Sequence, residues 1–422
     1  MQRTVYVNLD GLRRDFIKPE WTPHLCAFAN RATSFAAYRS VFPSATRVVS
    51  STFATGCLPA RHGLQGNTMA LLQDGELVVY DAGDPEFLQK KRTLTGQSLA
   101  KPTMAERLSS HGGVIVFNNV SPGAAYAHDP DGFGYVYNRA GSFGPGRQRV
   151  RTEDELNINL DPAGDRHMTE RFCAEVLAHR KPALAVLWTG EPDHAQHTMA
   201  LGSPEMLEVV RSADHNAGLV IAAVDRLRAR GEDVLLMIGS DHGHETVTGI
   251  IDIDAELISA GLKSGTGSGD VAAVSNGTSA LIYVAPSSTG RIPGIDKFLR
   301  AQSWAGQVLG SERLGEVGQA AHNGLAFAVS MQSDDEPNEF GIRGRSLVAK
   351  PQFGKPDRLG FGQHGGLSKY EQMPFLMIDG GGFRPARIDH RAVTPVDLAP
   401  TILTYLGRDT SGLDGIALQG IH

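Results

Sequence analysis

The sequence predicts an α/β protein: a doubly wound, mostly parallel sheet that carries a smaller inserted α+β cap subdomain. Short, nearly continuous apolar runs alternate with helical patterns, as in parallel sheets covered by helices on both faces. Between residues 251 and 360 the texture changes to Gly/Ser-rich turns that separate short strands. The length of 422 residues allows one large core with such an insertion.

The predicted strands are rich in Val, Ile and Leu and lack alternation, which indicates burial on both faces. In chain order they are residues 5–9, 114–117, 183–188, 234–238 and 375–378. The helical patterns cover residues 23–32, 47–54, 103–110, 165–179, 204–230 and 395–406. The last helix has the clearest start and stop signals, with Thr394 as its N-cap, Pro395 at its first position and Gly407 after its end.

These elements predict a division of the chain into two parts. Residues 1–260 and 350–422 are expected to form the catalytic α/β domain. Residues 261–349, with short strands at 279–284 and 325–330, are expected to form the inserted cap subdomain.

Charge and cysteine content exclude several classes of protein. Forty Lys and Arg against forty-six Asp and Glu give a net charge of −6, so bulk charge does not favour binding to nucleic acid or an anionic membrane. Cys26, Cys57 and Cys173 lack paired spacing, which excludes a Cys-x-x-Cys zinc site and fits a reducing compartment. The sequence has no apolar signal segment or long apolar run. We therefore expect a cytoplasmic protein; its oligomeric state stays open.

Acidic residues follow three of the predicted strands. Asp10, Asp193 and Asp241 follow the strands at 5–9, 183–188 and 234–238 within five residues of their ends. Because parallel strands end at one edge of the sheet, these carboxylates should converge there. Converging carboxylates repel one another unless a cation lies among them, so a bound metal is expected.

Histidines accompany these carboxylates. His197 lies four residues after Asp193, one helical turn away, and His242 directly follows Asp241. His364 lies in a glycine-rich loop before the last strand. The six Asp and His side chains suffice for two metal ions if one more oxygen contributes, and such a donor set suits Zn²⁺ best, with Mn²⁺ or Fe as alternatives. His194 and His244 are expected to lie outside the ligand set.

The additional oxygen should come from the turn that opens the helix at 47–54. A hydroxyl at a helix N-terminus meets exposed N–H donors and can be activated by a metal. Ser44, Thr46, Ser50 and Ser51 all qualify on this ground alone.

A series of motifs identifies a family. In chain order the motifs are Asp10-Gly11, Thr46 ahead of Thr55-Gly56, Pro59-Ala-Arg-His62-Gly63, Gly66-Asn67, Glu191-Pro192-Asp193 with His197, Ser240-Asp241-His242-Gly243 and His364-Gly365. With them the chain resembles the alkaline phosphatase superfamily, and within it the nucleotide pyrophosphatase/phosphodiesterase family and the related phosphonoacetate hydrolases. The resemblance covers nearly the whole chain and implies an alkaline-phosphatase-like fold.

The resemblance also implies a role for each motif. Asp193, His197 and His364 would hold one zinc ion, whereas Asp10, Asp241 and His242 would hold the other together with Thr46, the nucleophile. Asn67 would donate to a phosphoryl oxygen together with the N–H of Arg47. The implied substrate is a small phosphorylated molecule.

Two departures from the family bear on the substrate. The phosphonoacetate hydrolases carry paired lysines after the strand at 114–117, where this chain has Asn118 and no lysine. Arg47 follows the nucleophile, and it is either a solvated helix residue or a guanidinium that reaches a second anionic group. Arg47 and Asn118 are therefore the candidate substrate-binding residues.

The expected function is hydrolysis of a phosphodiester or nucleotide-pyrophosphate bond through a covalent phospho-threonine. The alternatives are a C–P hydrolase, a phosphomonoesterase and a pseudoenzyme that only binds phosphorylated ligands. A sulfatase is disfavoured, because Cys57 of Cys57-Leu-Pro-Ala-Arg61 follows Thr55-Gly56 instead of preceding the helix.

Overall fold

The computed structural model describes residues 2–420. Its largest element is a ten-stranded sheet in which the central strands run parallel, so the predicted fold class is confirmed. In spatial order the strands are Arg387–Val393, Thr33–Tyr38, Leu376–Asp379, Val234–Gly239, Arg3–Leu9, Leu184–Thr189, Val114–Asn118, Tyr135–Tyr137, Phe143–Gly144 and Gln148–Arg149.

One predicted strand has the opposite direction to its neighbours. Leu376–Asp379 pairs antiparallel with Val234–Gly239 and with Thr33–Tyr38. It therefore enters the sheet at the edge where the parallel strands end. For this reason His364, which precedes it in the chain, lies at the same edge as the acidic residues that follow the other strands.

Helices cover both faces of the sheet, and the core is divided accordingly. On strand Arg3–Leu9, Tyr6 packs into one apolar cluster and Val5 and Val7 into the other. This alternation follows from the two-residue period of a strand. The α-helices are Pro23–Ala29, Thr46–Thr55, Pro59–His62, Phe87–Thr95, Met104–Leu108, Pro122–Tyr126, Pro162–Arg171, Asp193–Gln196, Pro204–Ala229, Ile253–Ser259, Ile292–Arg300 and Leu398–Tyr405.

Some helix ends differ from the sequence prediction. The helix predicted at 165–179 begins earlier, at Pro162, because the Asp161 side chain accepts the N–H of Gly164 as its cap. It continues beyond Arg171 as a π-helix, Phe172–Arg180. The helix predicted at 395–406 opens with a 3₁₀ turn, Pro395–Asp397. None of the helices within residues 2–420 combines the length and the apolar character needed to span a bilayer.

A second, antiparallel sheet lies within the predicted insertion. Its strands are Val271–Ser275, Ser279–Val284, Leu325–Met331 and Ala305–Gly310, in spatial order. Helices Ile253–Ser259 and Ile292–Arg300 pack against it around a separate apolar core. The boundaries 261 and 349 stay a prediction.

A third sheet connects the insertion to the edge that carries the acidic residues. Its central strand Glu245–Ile251 pairs with Arg343–Ala349 and with Gly362–Gln363, and Ser333–Pro337 completes it. The central strand begins three residues after His242, and Gly362–Gln363 directly precedes His364. The pairing thus fixes both histidine loops to each other. A hairpin, Thr68–Gln73 with Glu76–Asp81, lies beside the inserted sheet.

Candidate active site

The acidic residues of the site follow three neighbouring parallel strands. Arg3–Leu9 lies between Val234–Gly239 and Leu184–Thr189 in the sheet. Asp10, Asp241 and Asp193 follow these strands and therefore meet at one edge. Two groups of their side chains with histidines have ligand atoms within 4.8 Å of one another: Asp10, Asp241 and His242, and Asp193, His242, His244 and His364.

Each buried carboxylate has one oxygen held by the protein and one that faces the cluster. Asp10 Oδ2 accepts the indole N–H of Trp188 at 2.8 Å, and Asp241 Oδ1 accepts the backbone N–H of Gly11 at 3.1 Å. Asp10 Oδ1, Asp241 Oδ2 and Asp193 Oδ1 are buried and receive no hydrogen bond within the described residues. Buried oxygens without donors require another partner, and these oxygens could bind a metal ion.

The pKa values of two carboxylates also indicate a site for a cation. Burial, together with repulsion from Asp241 and Asp193, raises the pKa of Asp10 well above its usual value. Burial also raises the pKa of Asp241, although the neighbouring His242 opposes this. Both carboxylates thus resist ionisation unless a cation accompanies them.

Four histidines surround the carboxylates with the same orientation. In each ring Nδ1 faces a backbone carbonyl, which can only accept, so Nδ1 carries the proton and Nε2 keeps its lone pair. The pairs are His197 with Gly362 at 2.9 Å, His364 with Ser44 at 2.7 Å, His242 with Gly243 at 3.2 Å and His244 with Gly11 at 3.3 Å. Such carbonyl contacts are typical of metal-binding histidines.

The Nε2 atoms point at the free carboxylate oxygens. His242 Nε2 lies 3.5 Å from Asp10 Oδ1 and 3.2 Å from Asp241 Oδ2. Three further contacts converge on Asp193 Oδ1: His197 Nε2 at 3.4 Å, His364 Nε2 at 3.5 Å and His244 Nε2 at 3.0 Å. We call these three aspartates and four histidines the Asp/His cluster. Its donor atoms fit metal binding.

Thr46 is the hydroxyl that lies at this cluster. It begins helix Thr46–Thr55, lines the pocket, and its Oγ1 is 3.2 Å from His242 Nε2. Ser44 Oγ instead donates to the carbonyl of Gly366, and Ser51 Oγ donates to that of Arg47. Thr46 is therefore the hydroxyl of this segment that is open to the pocket.

Asn67 also lines the pocket, and its contact with Arg47 differs from the expectation. Asn67 Oδ1 accepts the backbone N–H of Arg47 at 3.1 Å. This hydrogen bond occupies the N–H that the family resemblance assigns to a phosphoryl oxygen. It also fixes the amide so that the Nδ2 donors remain for a ligand.

Two other predicted positions lie away from the pocket lining. Asn118 is fully buried, and its Oδ1 accepts the N–H of Val120. Val120 and Ser121, from the same loop, line the pocket in its place. Cys57 is buried behind the helix, with its thiol 3.7 Å from the carbonyl of Gly412, and it takes no part in the pocket.

The pocket is also lined by four cations, which we call the cationic wall: Arg47, Arg139, Lys355 and Arg358. The Lys355 Nζ is 2.7 Å from Asp81 Oδ2, whereas Arg47 Nη2 is 4.0 Å from Asp81 Oδ1. Although burial opposes ionisation, Arg47 and Lys355 lower the pKa of Asp81. The carboxylates of Asp81 and the exposed Asp357 can neutralise at most two of the four positive charges, so the wall keeps a net positive charge.

The other two cations of the wall form no ion pair with a carboxylate among residues 2–420. Arg358 forms no ion pair within the part of the chain that the structure describes, and burial lowers its pKa. Arg139 Nη1 donates to the carbonyls of Asn119 and Val120, at 2.6 and 2.9 Å. A partly buried guanidinium without a counterion favours an anionic ligand.

The sequence analysis placed His244 outside the ligand set, whereas the structure places it within the Asp/His cluster, and three of the four cations were not predicted. The loop from His242 leads into strand Glu245–Ile251, so the two-residue period of extended chain predicts His244 on the same side as His242. That signal was available. Arg139, Lys355 and Arg358 lie in irregular segments, where no periodicity indicates which way a side chain points.

Comparison with known proteins identifies the family of the chain. The family model "Type I phosphodiesterase / nucleotide pyrophosphatase" matches residues 4–353. A search of curated protein sequences gave no match.

Solved structures share the fold across nearly the whole chain. Murine ectonucleotide pyrophosphatase / phosphodiesterase 5 matches with a TM-score of 0.67 and 18% identity, over 98% of this chain and 97% of that one. Phosphonoacetate hydrolase from Sinorhizobium meliloti, in complex with phosphonoformate, matches with a TM-score of 0.67 and 16% identity, over 96% and 95%. An inactive variant of the murine protein was solved with AMP. At these identities the matches establish the fold.

Proposed function

Because the chain belongs to the type I phosphodiesterase / nucleotide pyrophosphatase family, we propose that it is a metal-dependent hydrolase of phosphodiester or nucleotide-pyrophosphate bonds. The observation that carries this proposal is the Thr46 hydroxyl at 3.2 Å from His242 Nε2, at the edge of the Asp/His cluster. A hydroxyl beside a set of metal ligands is the arrangement that nucleophilic phosphoryl transfer needs.

The Asp/His cluster provides ligands for two ions. Asp10, Asp241 and His242 would hold one together with Thr46 Oγ1. Asp193, His197 and His364 would hold the other. Mixed carboxylate and imidazole donors favour Zn²⁺, with Mn²⁺ or Fe as alternatives. When bound, the ions would neutralise the carboxylates, favour ionisation of the threonine hydroxyl and stabilise charge on the phosphoryl group.

The reaction proceeds in two displacements at phosphorus. In the first, Thr46 Oγ1 forms a bond to phosphorus while the bond to the leaving oxygen breaks. This gives a phospho-threonine, and the departing alcohol or phosphate takes up the proton that Thr46 loses. In the second, the oxygen of a water molecule bonds to phosphorus, the bond to Thr46 breaks, and a proton from the water returns to Thr46 Oγ1. Asn67 Nδ2 donates to a non-bridging oxygen in both steps.

The cationic wall orients the remainder of the substrate. Arg358 and Lys355 line the same pocket as Thr46 and are placed to bind an anionic group beyond the phosphorus under attack. Arg47, whose Nε is buried without a hydrogen-bond partner, adds a third positive charge beside the nucleophile. A nucleotide-type pyrophosphate carries such a second anionic group, whereas a simple diester does not.

The same wall supports a second candidate, hydrolysis of a carboxylated phosphonate. The paired lysines expected near Asn118 are absent, but Arg139, Lys355 and Arg358 offer alternative partners for a carboxylate. Phosphonoacetate hydrolase, which shares the fold, was solved in complex with phosphonoacetate, a carboxylated phosphonate.

We also propose a cytoplasmic location. Cys26, Cys57 and Cys173 are all free thiols, which suits a reducing compartment.

The test is a substrate panel on zinc-loaded protein: bis-p-nitrophenyl phosphate, p-nitrophenyl phosphate, p-nitrophenyl sulfate, a nucleotide pyrophosphate and phosphonoacetate. The panel is combined with acid quenching and mass spectrometry, which would detect a phosphoryl group on the peptide that contains Thr46. Hydrolysis of the diester or pyrophosphate with this adduct is the expected result. Turnover of phosphonoacetate alone would favour the second candidate, and turnover of nothing would favour a ligand-binding pseudoenzyme.

A further inference from the structure

His244 belongs to neither of the two ligand sets proposed above, yet it is as deeply placed as any member of them. It is fully buried, and its Nε2 lies 3.0 Å from Asp193 Oδ1, closer than His197 or His364. The ring packs edge-on against His197, with the centroids 5.0 Å apart. Its position is therefore inside the cluster.

The backbone makes room for this ring and holds it in one orientation. Gly11 has a φ of +70°, and a Cβ at this position would lie 2.5 Å from His244 Cε1. A Cβ on Gly362 would lie 3.0 Å from His244 Cδ2. With a glycine on each side and Nδ1 directed at the Gly11 carbonyl, Nε2 is directed at Asp193.

The contact between His244 and Asp193 is unfavourable for a neutral ring alone. Because Nδ1 carries the proton, Nε2 and Asp193 Oδ1 are both acceptors, and neither has a hydrogen-bond donor within the described residues. A second proton on His244 would satisfy this pair. It would leave the Nε2 atoms of His197 and His364, which point at the same oxygen, without a partner. A metal ion bound beside Asp193 Oδ1 would give this oxygen and the three Nε2 atoms that approach it a common partner.

We propose that His244 Nε2 is a further ligand of the metal ion held by Asp193, His197 and His364. This inference rests on the two-metal centre of the proposed function. With His244 included, this ion would have three nitrogen ligands and one oxygen ligand. The other ion would have three oxygens and one nitrogen, from Asp10, Asp241, Thr46 and His242. Nitrogen-rich sites prefer Zn²⁺ and Co²⁺ over Mn²⁺ and Mg²⁺, and oxygen-rich sites discriminate less. The two ions therefore bind with different affinity and selectivity.

The test measures metal binding instead of turnover. The parent protein, H244Q and the control H194Q are stripped of metal and titrated with Zn²⁺ against a chromophoric chelator, and with Co²⁺ while the visible absorption spectrum is recorded. Glutamine keeps an N–H donor for Asp193 but is a poor metal ligand. His194 is the matched control because it is a histidine beside Asp193 that is exposed.

The expected result is that H244Q weakens one of the two Zn²⁺ affinities by about 100-fold or more, beyond the ~10–100-fold range of a residue that only supports a ligand. The Co²⁺ spectrum should change in H244Q and stay unchanged in H194Q. Added imidazole should restore the parent spectrum in H244A, a second variant that leaves space for the free ring.

Other outcomes would overturn the inference. If H244Q keeps the parent Co²⁺ spectrum, whether or not the affinity falls, His244 only orients Asp193 and is not a ligand. If the parent protein binds two ions that H244Q also binds equally tightly, the inference fails while the two-metal centre stands. A parent protein that binds no transition metal would refute both.

Discussion

The Asp/His cluster and the cationic wall are built in different ways. In the cluster, Asp10, Asp193 and Asp241 follow three adjacent parallel strands, so the sheet itself places them together. In the wall, Arg47 lies on a helix, whereas Arg139 and the pair Lys355 and Arg358 come from irregular segments far apart in the chain. The Asp/His cluster depends on the fold, and the cationic wall depends on loops.

This difference has a functional meaning. Residues fixed by a sheet are suited to chemistry, which requires precise placement, whereas loop residues can vary without loss of the fold. We therefore expect changes in the Asp/His cluster to abolish the reaction and changes in the cationic wall to alter which substrate is preferred. The following predictions test this division, beginning with the largest effect.

Metal removal should abolish activity. The cluster has buried carboxylate oxygens without donors, and it repels itself when it is empty. Stripping with a chelator should remove all turnover, and Zn²⁺ should restore it. Elemental analysis should find two transition-metal ions per active chain. Active protein with fewer than one ion per chain would contradict this.

Thr46→Ala should remove nearly all turnover, at least about 10⁴-fold, because no other hydroxyl of its segment is open to the pocket. The fold and most of the bound metal should persist, since six of the ligands come from other loops. The measurement is kcat on bis-p-nitrophenyl phosphate together with metal content. Thr93→Ala, which alters an exposed hydroxyl on helix Phe87–Thr95, is the matched control. Turnover by Thr46→Ala within tenfold of the parent would show that Thr46 is not the nucleophile.

Asn67→Ala should have a smaller effect, about 10²–10³-fold in kcat, the usual cost of losing one charge-stabilising donor. The loss should lie near the lower end of this range if the N–H of Arg47, which donates to Asn67 Oδ1 in the parent, becomes free to bind the substrate. A loss below tenfold would contradict a role for the Asn67 amide in stabilising the phosphoryl group.

The same division explains how much of the molecule the sequence predicts. Strands buried on both faces are continuous apolar runs, and the acidic residues that follow them were predicted from sheet topology. The direction of Leu376–Asp379 could not be predicted, because an apolar run has the same composition in a parallel and an antiparallel strand. Thr33–Tyr38, half of whose side chains are only partly buried, lacks the continuous apolar pattern of a central strand.

Within the site, the predictable residues are those attached to regular elements. The choice of Thr46 among four hydroxyls required the family resemblance, because a helix N-terminus presents several side chains to solvent. The positions of Lys355 and Arg358 depend on how the segment from Pro351 to Phe361 folds back over the pocket. That path depends on contacts between distant parts of the chain, which local sequence does not report.

Arg358→Gln should change substrate preference more than turnover. Arg358 has no carboxylate partner in the described part of the chain, so an anionic group of the substrate gains a charge-assisted hydrogen bond there. We expect kcat/KM for a nucleotide pyrophosphate to fall about tenfold relative to that for bis-p-nitrophenyl phosphate. Lys350→Gln, in the same segment but paired with Asp252 and outside the pocket lining, is the matched control. An equal loss on both substrates would contradict a role in preference.

The smallest effect concerns Arg47 and the choice between diester and monoester. A monoester dianion requires fixed cations at its free oxygens, whereas a diester needs one oxygen held and space for its second substituent. The donor nearest Thr46 is the neutral amide of Asn67, and Arg47 is partly neutralised by Asp81 at 4.0 Å. Bis-p-nitrophenyl phosphate should therefore have a higher kcat/KM than p-nitrophenyl phosphate, and Arg47→Ala should alter this ratio by only about threefold, as for a weak ion pair. A monoester preference in the parent that disappears in Arg47→Ala would show that this guanidinium serves the phosphoryl group itself, and it would assign Arg47 to the chemistry instead of to the cationic wall.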